Sequence, residues 1–430
     1  MHLAWRMKGG TAPFFYGWII VAASFIITSA WGYFFIYGVF FKPLINEFGW
    51  SSTATSLAFS IQTSVYSLCV IPMGRFYDRH GPRLAVGIGA ILVGVGSTLC
   101  SLVTSLWQLY LFWGVMIGVG SSAFWVPVVS TLNKWFLKKR GLVMGVISTG
   151  VGVGTFIAAP ATDYLITTIG WRMAFLVEGV FLLILFMASA LALRSSPQEM
   201  GLSPYGQEEV VEAKIKPVAL HEVVGAVGGL NEPDELRFET RHALKSKSLW
   251  MIYTTFVFGC LCESMVLVHM VPFAINIDIS GALAAVALGA VGFSSIFGKV
   301  VMGALSDRIG RIRILSITYA VQASSMFLII FTGNLWMLYV FAIIFGFSYG
   351  GWVPQYPNMM RDFFGLRHAG ILMGILSTGW GLGGLLGPTL GGLIFDLSGN
   401  YQSAFLLGEI VSILAFLISI FLKPPRTANN

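Results

Sequence analysis

The chain has 430 residues, 56% of them hydrophobic and only 10% charged, with a mean hydropathy of +0.80; this balance excludes a soluble globular domain. Basic residues exceed acidic ones by seven, but they sit in the loops between long apolar runs. Positive-inside placement accounts for them, and nucleic acid is not implied as a partner.

Apolar runs of about 20 residues, the length that crosses a bilayer, predict twelve spans. The first six cover about 15–41, 52–73, 83–104, 106–131, 141–165 and 172–194. The second six cover about 249–271, 282–305, 314–333, 335–360, 369–395 and 401–422. Arg6 and Lys8 precede a first run too long for a signal-peptide core, and no A-x-A site follows, so a retained signal-anchor helix is expected. Between the two sets, Arg194 to Ser248 carries nine acidic residues and Pro197, Pro204, Pro217 and Pro233. That composition predicts a partly disordered linker over 195–248, with a short surface helix around Leu220–Val227. The expected domains are 1–194 and 249–430 on either side of it. Cys69, Cys100, Cys260 and Cys262 all fall within apolar runs and read as packed thiols rather than disulfides or metal ligands.

An even number of spans puts both termini on one face. If that face is cytoplasmic, 23 of the 26 Lys and Arg residues are internal, Lys42 and Arg172 are external, and Lys299 is left inside a span. The bias predicts a multi-pass protein with both termini in the cytoplasm. Lys299 lies eight residues before Asp307 at the end of its span, so roughly 12 Å into the membrane at about 1.5 Å rise per residue. A lysine there costs on the order of 2.5–3.5 kcal/mol, and a water-filled cavity, a counter-ion or an anionic substrate must offset it.

The halves repeat. Gly74-Arg-Phe-Tyr-Asp78-Arg79-His-Gly81 after span 2 matches Gly303-Ala-Leu-Ser-Asp307-Arg308-Ile-Gly310 after span 8, at an offset of 229 residues. Gly141-Leu-Val-Met-Gly145-Val-Ile-Ser148-Thr149-Gly150 in span 5 matches Gly370-Ile-Leu-Met-Gly374-Ile-Leu-Ser377-Thr378-Gly379 in span 11 at the same 229. Two matches at one offset predict two homologous six-helix bundles. The glycines of spans 5 and 11 lie inside apolar helices with no preceding strand and no Walker lysine, which argues for close helix packing rather than nucleotide binding.

With these features the chain resembles the major facilitator superfamily over nearly its whole length. Tyr16-Gly17-Trp18, Lys134-Trp-Phe136-Leu-Lys138-Lys139-Arg140-Gly141 and His269-Met-Val-Pro272-Phe-Ala are similar to the monocarboxylate transporter and oxalate–formate exchanger branch, bacterial type. The resemblance implies an all-α membrane protein: twelve transmembrane helices in two pseudo-symmetric six-helix bundles, in the plasma membrane, here a bacterial inner membrane. It implies alternating access around a cavity lined by spans 1, 4, 7 and 10 and parts of 2, 5, 8 and 11. It also places Lys299 where relatives carry an anion-binding arginine, with Ser295 and Gly292 on the same face of the span. Lysine keeps the charge and loses the bidentate geometry. Tyr349 falls on an aromatic position of the family, able to donate to a carboxylate and to pack on a short alkyl chain.

Three positions depart from the pattern. Ser295 replaces an aspartate, Phe35 replaces a span-1 lysine, and Trp380 stands where the oxalate exchanger has a second cation. One remaining cation fits a monoanion better than a dianion. Trp125, Trp352, Tyr33 and Tyr37 are further candidate walls. Glu263, in the middle of span 7, is a candidate proton carrier or counter-ion to Lys299, with His269 a second candidate. Glu178 and Glu409, at repeat-equivalent places, read as structural. The turns containing Gly74, Asp78 and Arg79 and Gly303, Asp307 and Arg308 are expected to form charge networks that latch the bundles together in the outward-facing state.

The expected function is secondary transport of a small organic monocarboxylate of lactate or pyruvate size. Proton symport is the first expectation and carboxylate exchange the alternative, with a non-transporting anion sensor more distant. One cavity lysine among few carboxylates argues against a cation carrier, and sparse Asn and Gln argue against a sugar carrier. No catalytic, metal or cofactor motif is present, so no cofactor and no enzyme activity are expected. The expected partners are a carboxylate anion, a proton and the bilayer, with the monomer as the working unit.

Overall fold

The computed structural model describes residues 15–207, 240–364 and 369–425. Ten helices among the described residues are long and apolar enough to cross a membrane. One of them, Ser52–Cys100, is two spans in one run, broken where Gly81 takes a positive φ of 79°. The 30-residue helix Ala369–Ser398 completes twelve spans. In chain order they are α1 Gly17–Phe48, α2 residues 52–80 and α3 residues 82–100, α4 Leu106–Trp135, α5 Arg140–Ile169 and α6 Trp171–Ala192. The second half comprises α7 Lys247–Asn276, α8 Gly281–Ile309, α9 Arg311–Ile330, α10 Leu335–Phe364, α11 Ala369–Ser398 and α12 Gln402–Ile420.

The repeat is written into the backbone. Three pairs of positive-φ positions lie 229 residues apart: Gly49 and Asp278, Gly81 and Gly310, Gly170 and Gly399. Each ends one helix so that the next can start in the opposite direction. The N-caps pair in the same way. The Ser51 hydroxyl accepts from the Ala54 N–H at 3.1 Å, and the Ser280 hydroxyl from the Leu283 N–H at 3.4 Å. Residues at these starts leave N–H groups without intrahelical partners, and a serine oxygen supplies one.

Helix pairing repeats too. In the first half α1 packs on α5 and α3 on α6; in the second, α7 packs on α11 and α9 on α12. The halves meet through α2 with α11, α5 with α8, and the end of α1 with α7. Apolar side chains cover the outside, as a bilayer requires: Phe181, Ile184, Leu191, Val300, Phe327 and Phe331 are all exposed. Trp107 and Trp336, again 229 apart, are exposed at the starts of α4 and α10, where indoles sit at a membrane interface.

Both ends of the described chain, residues 15 and 425, lie on one face, here called the terminal face. There the Tyr16 hydroxyl donates to Ala192 O at 2.9 Å, Arg83 Nε to Leu193 O at 2.7 Å, and the Ser248 hydroxyl to Lys423 O at 2.8 Å. The opposite, far face is closed off in the first bundle by Arg172, which donates to the Ser101 and Val103 carbonyls at 2.9 Å each and pairs with Glu47 at 2.7 Å. The first part of the 195–248 segment is ordered on the terminal face: Tyr205 N–H donates to Trp135 O at 2.9 Å and Tyr205 O accepts from Leu137 N–H at 3.1 Å. Residues 208–239, with the surface helix expected around 220–227, lie outside the described residues.

Three irregularities depart from the spans read in the sequence. α1 runs to Phe48 rather than ending near Phe41, through a 3-10 stretch at Gly32–Ile36. Gly32 lies against α5, where the Thr155 hydroxyl reaches its carbonyl at 3.2 Å. α4 contains a π-helical stretch at Tyr110–Ile117, and α10 breaks after Trp352 before resuming at Gln355.

Gly154 and Gly145, on one helix, give contrasting expectations. A Cβ at Gly154 would overlap the Ser29 backbone of α1, whereas one at Gly145 would meet nothing within 4 Å. Gly154→Leu should therefore lower the detergent-solubilised Tm, an overpacking cost of about 1–3 kcal/mol or more. Gly145→Leu should leave Tm unchanged; equal losses in the two variants would contradict this packing.

Candidate functional site

The bundles touch along the far face and part toward the terminal face. The Asp396 carboxylate, near the end of α11, accepts from the Ser52 N–H (2.8 Å), the Thr53 N–H (2.8 Å) and the Thr53 hydroxyl (2.6 Å) at the start of α2. An anion at a helix N-terminus satisfies free N–H groups and complements the helix dipole. One turn or two deeper, the Ser60 and Thr389 hydroxyls are 2.9 Å apart across the same helix pair. Phe41 of α1 meets His269 of α7 edge to face at 5.3 Å.

Past the membrane middle the contacts run out. A methyl group at Gly141, Gly145 or Gly303 would meet no heavy atom within 4 Å, and one at Gly374 would reach only Ile71 at 4.0 Å. Asp78, Arg79, Asp307 and Arg308 are all exposed. Asp307 pairs with Arg311 of its own bundle at 2.6 Å, and Arg311 reaches Asp362 at 3.4 Å. Among the described residues the bundles are thus closed on the far face and parted on the terminal face.

Lys299 stands where the two bundles begin to part. The residue is half-buried; its ammonium donates to the Ser148 carbonyl of α5 at 3.0 Å and lies 5.7 Å from the centroid of the Tyr349 ring of α10. A carbonyl and a ring face stabilise the cation without neutralising it. Glu263 of α7 is 1% exposed, and neither of its carboxylate oxygens has a hydrogen-bond partner. Lys299 and Glu263 face the same region but form no ion pair. One cation and one buried carboxyl, carried by two helices of the second bundle, can bind an anion and exchange a proton.

On the far-face side of Lys299 an aromatic group closes the space. Trp31 lies 5.6 Å from Trp125 and 5.5 Å from Tyr66. Phe35 meets Trp380 across the bundle interface at 6.2 Å, edge to face. Trp31, Trp125 and Trp380 are only half-buried, so part of each indole borders open space.

The family model of the Major Facilitator Superfamily matches residues 20–298 and 260–430. The chain belongs to that superfamily. It is 26% identical over 430 residues to monocarboxylate transporter 12-B of Danio rerio, covering 96% of this chain and 90% of that protein. It is 27% identical over 410 residues to monocarboxylate transporter 12 of Homo sapiens, covering 91% and 77%. Its fold resembles the crystal structure of a bacterial homolog to the human lysosomal transporter Spinster in an inward-facing, unoccupied conformation. There the TM-score is 0.75 at 16% identity, covering 96% of this chain and 98% of that one. The relatives are transporters rather than enzymes, and this superfamily member is a membrane transporter.

Within the superfamily fold the expected site residues divide into three groups. Lys299, Tyr349 and Glu263 come together, and Phe35, Trp125 and Trp380 form the aromatic group beyond them. Ser295 and Trp352 sit elsewhere. Ser295 is 1% exposed, donates to Gly292 O at 2.7 Å, and lies against Gly152 of α5, so it belongs to the α5–α8 contact. Trp352, expected as a wall, is enclosed in the second bundle because its indole N–H is taken by Gln322 at 2.9 Å and its ring stacks on Tyr319. Tyr33 and Tyr37 are likewise internal to the first bundle, bonded to Ser97 at 2.8 Å and to Thr55 O at 2.6 Å.

His269 is fully buried on the far-face side, its Nε2 donating to Pro388 O at 2.8 Å between the Phe41 and Tyr401 rings. It lies six residues beyond Glu263 on α7 and sits in the closed contact. Glu178 is bonded by the Thr162 hydroxyl within the first bundle. Sequence reading passed over Asp396, Ser148, Trp31 and Tyr66. The Ser51-Ser52-Thr53 cap was recognisable as a helix start, but its partner 343 residues away was not.

The Asp396 clasp is exposed, so its electrostatic part is small, about 0.3–1 kcal/mol for a charge at a helix end. Spin labels at Thr104 and Gly333, in a Cys69→Ser background, span the far face. Asp396→Ala should broaden their distance distribution toward longer values; an unchanged distribution would contradict a role in closure.

Proposed function

We propose that this transporter carries small organic monocarboxylates of lactate or pyruvate size and couples their uptake to a proton. The observation that carries the reading is Lys299, an uncompensated ammonium at the parting of the two bundles, with Tyr349 beside it. The named activity of the relatives supports it. A carboxylate displaces the Ser148 carbonyl from Lys299, accepts from the Tyr349 hydroxyl, and lays its short alkyl part on the aromatic group around Phe35 and Trp380. One ammonium balances one negative charge.

The terminal face, which holds most of the basic residues, is the cytoplasmic one in this reading, and the structure is then the inward-facing state of a plasma-membrane monomer. In the outward-facing state the Asp78–Arg79 and Asp307–Arg308 turns close the terminal face while Asp396 releases α2. A monoanion entering against a negative interior costs about 2.3 kcal/mol per 100 mV, and a co-transported proton cancels that charge. Glu263 is the proton carrier: buried without a hydrogen bond, its carboxylate is disfavoured unless Lys299 or a proton compensates it. Carboxylate exchange is the alternative use of the same site, since a second anion can replace the first on Lys299.

Purified protein in liposomes should accumulate labelled lactate or pyruvate under an inward proton gradient, and Lys299→Gln should abolish this. Failure to move any short monocarboxylate, with a gradient or with internal exchange substrate, would overturn the reading. Glu263→Gln should remove gradient-driven uptake and its rise at lower external pH while keeping exchange. Unaltered gradient-driven uptake in that variant would remove Glu263 from coupling.

A further inference from the structure

Between α1, α2 and α11 the aromatic group encloses a narrow cleft bordered by Trp31, Phe35, Gln62, Tyr66 and Trp380. Its walls are apolar except on α2. Gln62 is 4% exposed, and its Oε1 is buried with no hydrogen-bond partner. No described group bonds the other end of that amide. Tyr66, four residues further along the same face of α2, is 8% exposed, and its hydroxyl likewise has no bonding partner among the described residues. Thr63 bonds the Phe59 and Ser60 carbonyls at 3.2 and 3.0 Å and Ser64 bonds the Ser60 carbonyl at 2.8 Å, whereas the Ser67 hydroxyl, outside the cleft lining, is also buried without a partner. Buried polar groups in folded proteins are nearly always bonded, so the unbonded Gln62 oxygen needs an explanation, and the Tyr66 phenol stands beside it.

We infer that Gln62, with Tyr66, is a specificity-determining contact that recognises a neutral hydrogen-bonding substituent on the transported anion, such as the hydroxyl of a 2-hydroxy acid. An amide both donates and accepts, and a phenol does the same, so the pair can satisfy a hydroxyl completely. Neither carries charge, and no charged side chain lines the cleft, so a charged substituent would be left uncompensated there. A site built to bond a hydroxyl rejects the analogue lacking it far more strongly than a hydrophobic pocket discriminates by size, because its own polar groups are then stranded. The inference rests on the monocarboxylate reading and adds to it the choice among monocarboxylates.

The test compares lactate with propionate, which lacks only the hydroxyl, in liposomes containing the full chain. The wild type should favour lactate in kcat/KM, and Gln62→Leu should lower the lactate-to-propionate ratio by about tenfold or more while propionate uptake persists. Tyr66→Phe, which removes one oxygen and keeps the ring, should lower the ratio in the same direction and guards against misfolding of the leucine variant. An unchanged ratio in both variants, or an equal fall for both acids, would overturn the subsite and leave the monocarboxylate reading standing. A wild type that carries neither acid would overturn both.

Discussion

A single ammonium inside a membrane-spanning helix is the constraint on which the rest of this structure depends. Lys299 costs on the order of 2.5–3.5 kcal/mol to hold at that depth. The chain offsets part of this with a carbonyl from the opposite bundle and the face of a tyrosine. Both partners are neutral, so the positive charge survives and is available to an anion. Because the carbonyl belongs to α5 and the lysine to α8, the same contact ties the charge to the interface that has to move. In the proposed mechanism anion binding and bundle rearrangement compete for this one donor, which would give a bound substrate a direct influence on the conformational balance.

The interface is built so that this influence can matter. Where the bundles touch, small residues bring backbones together: Gly152 against Gly292, Gly38 against Leu267 and Val268, Gly392 against Ser52. Close approach without interlocking side chains lets rigid bundles rock. The polar contacts on the far face are few, and the Asp396 clasp is exposed. Two states separated by a handful of weak contacts are within reach of the binding energy of a small ligand. The larger aromatic and hydrogen-bonded clusters, such as Tyr319, Tyr356 and Thr255, lie inside a bundle and move with it.

Much of the fold was legible in the sequence. Apolar length gave the spans, and one offset gave the repeat; the paired left-handed positions at Gly81 and Gly310 lie within the motif that disclosed it. Lys299 could be found because charge in an apolar run is conspicuous. The 3-10 and π-helical stretches were not legible, since both keep an apolar composition and change only the hydrogen-bond pattern. Trp352 shows the limit for aromatics: in a transporter most helices are apolar all round, so periodicity does not say which face meets the cavity. Its partner Gln322 decides the matter, and that pairing spans two helices. Asp396 and Gln62 were missed for complementary reasons. The first draws its meaning from a distant helix end, and the second from a buried oxygen with no partner among the described residues.

The central claim is that Lys299 binds a monocarboxylate at the bundle interface, together with a proton. It is tested most directly by thermal unfolding of the purified protein with short carboxylates over a pH range of about 5 to 8, because a ligand that binds only the folded state raises Tm by mass action. Monocarboxylates should stabilise the wild type, more strongly toward low pH, and should not stabilise the Lys299→Gln protein. Equal stabilisation by the Lys299→Gln protein, or none at any pH in the wild type, would contradict it.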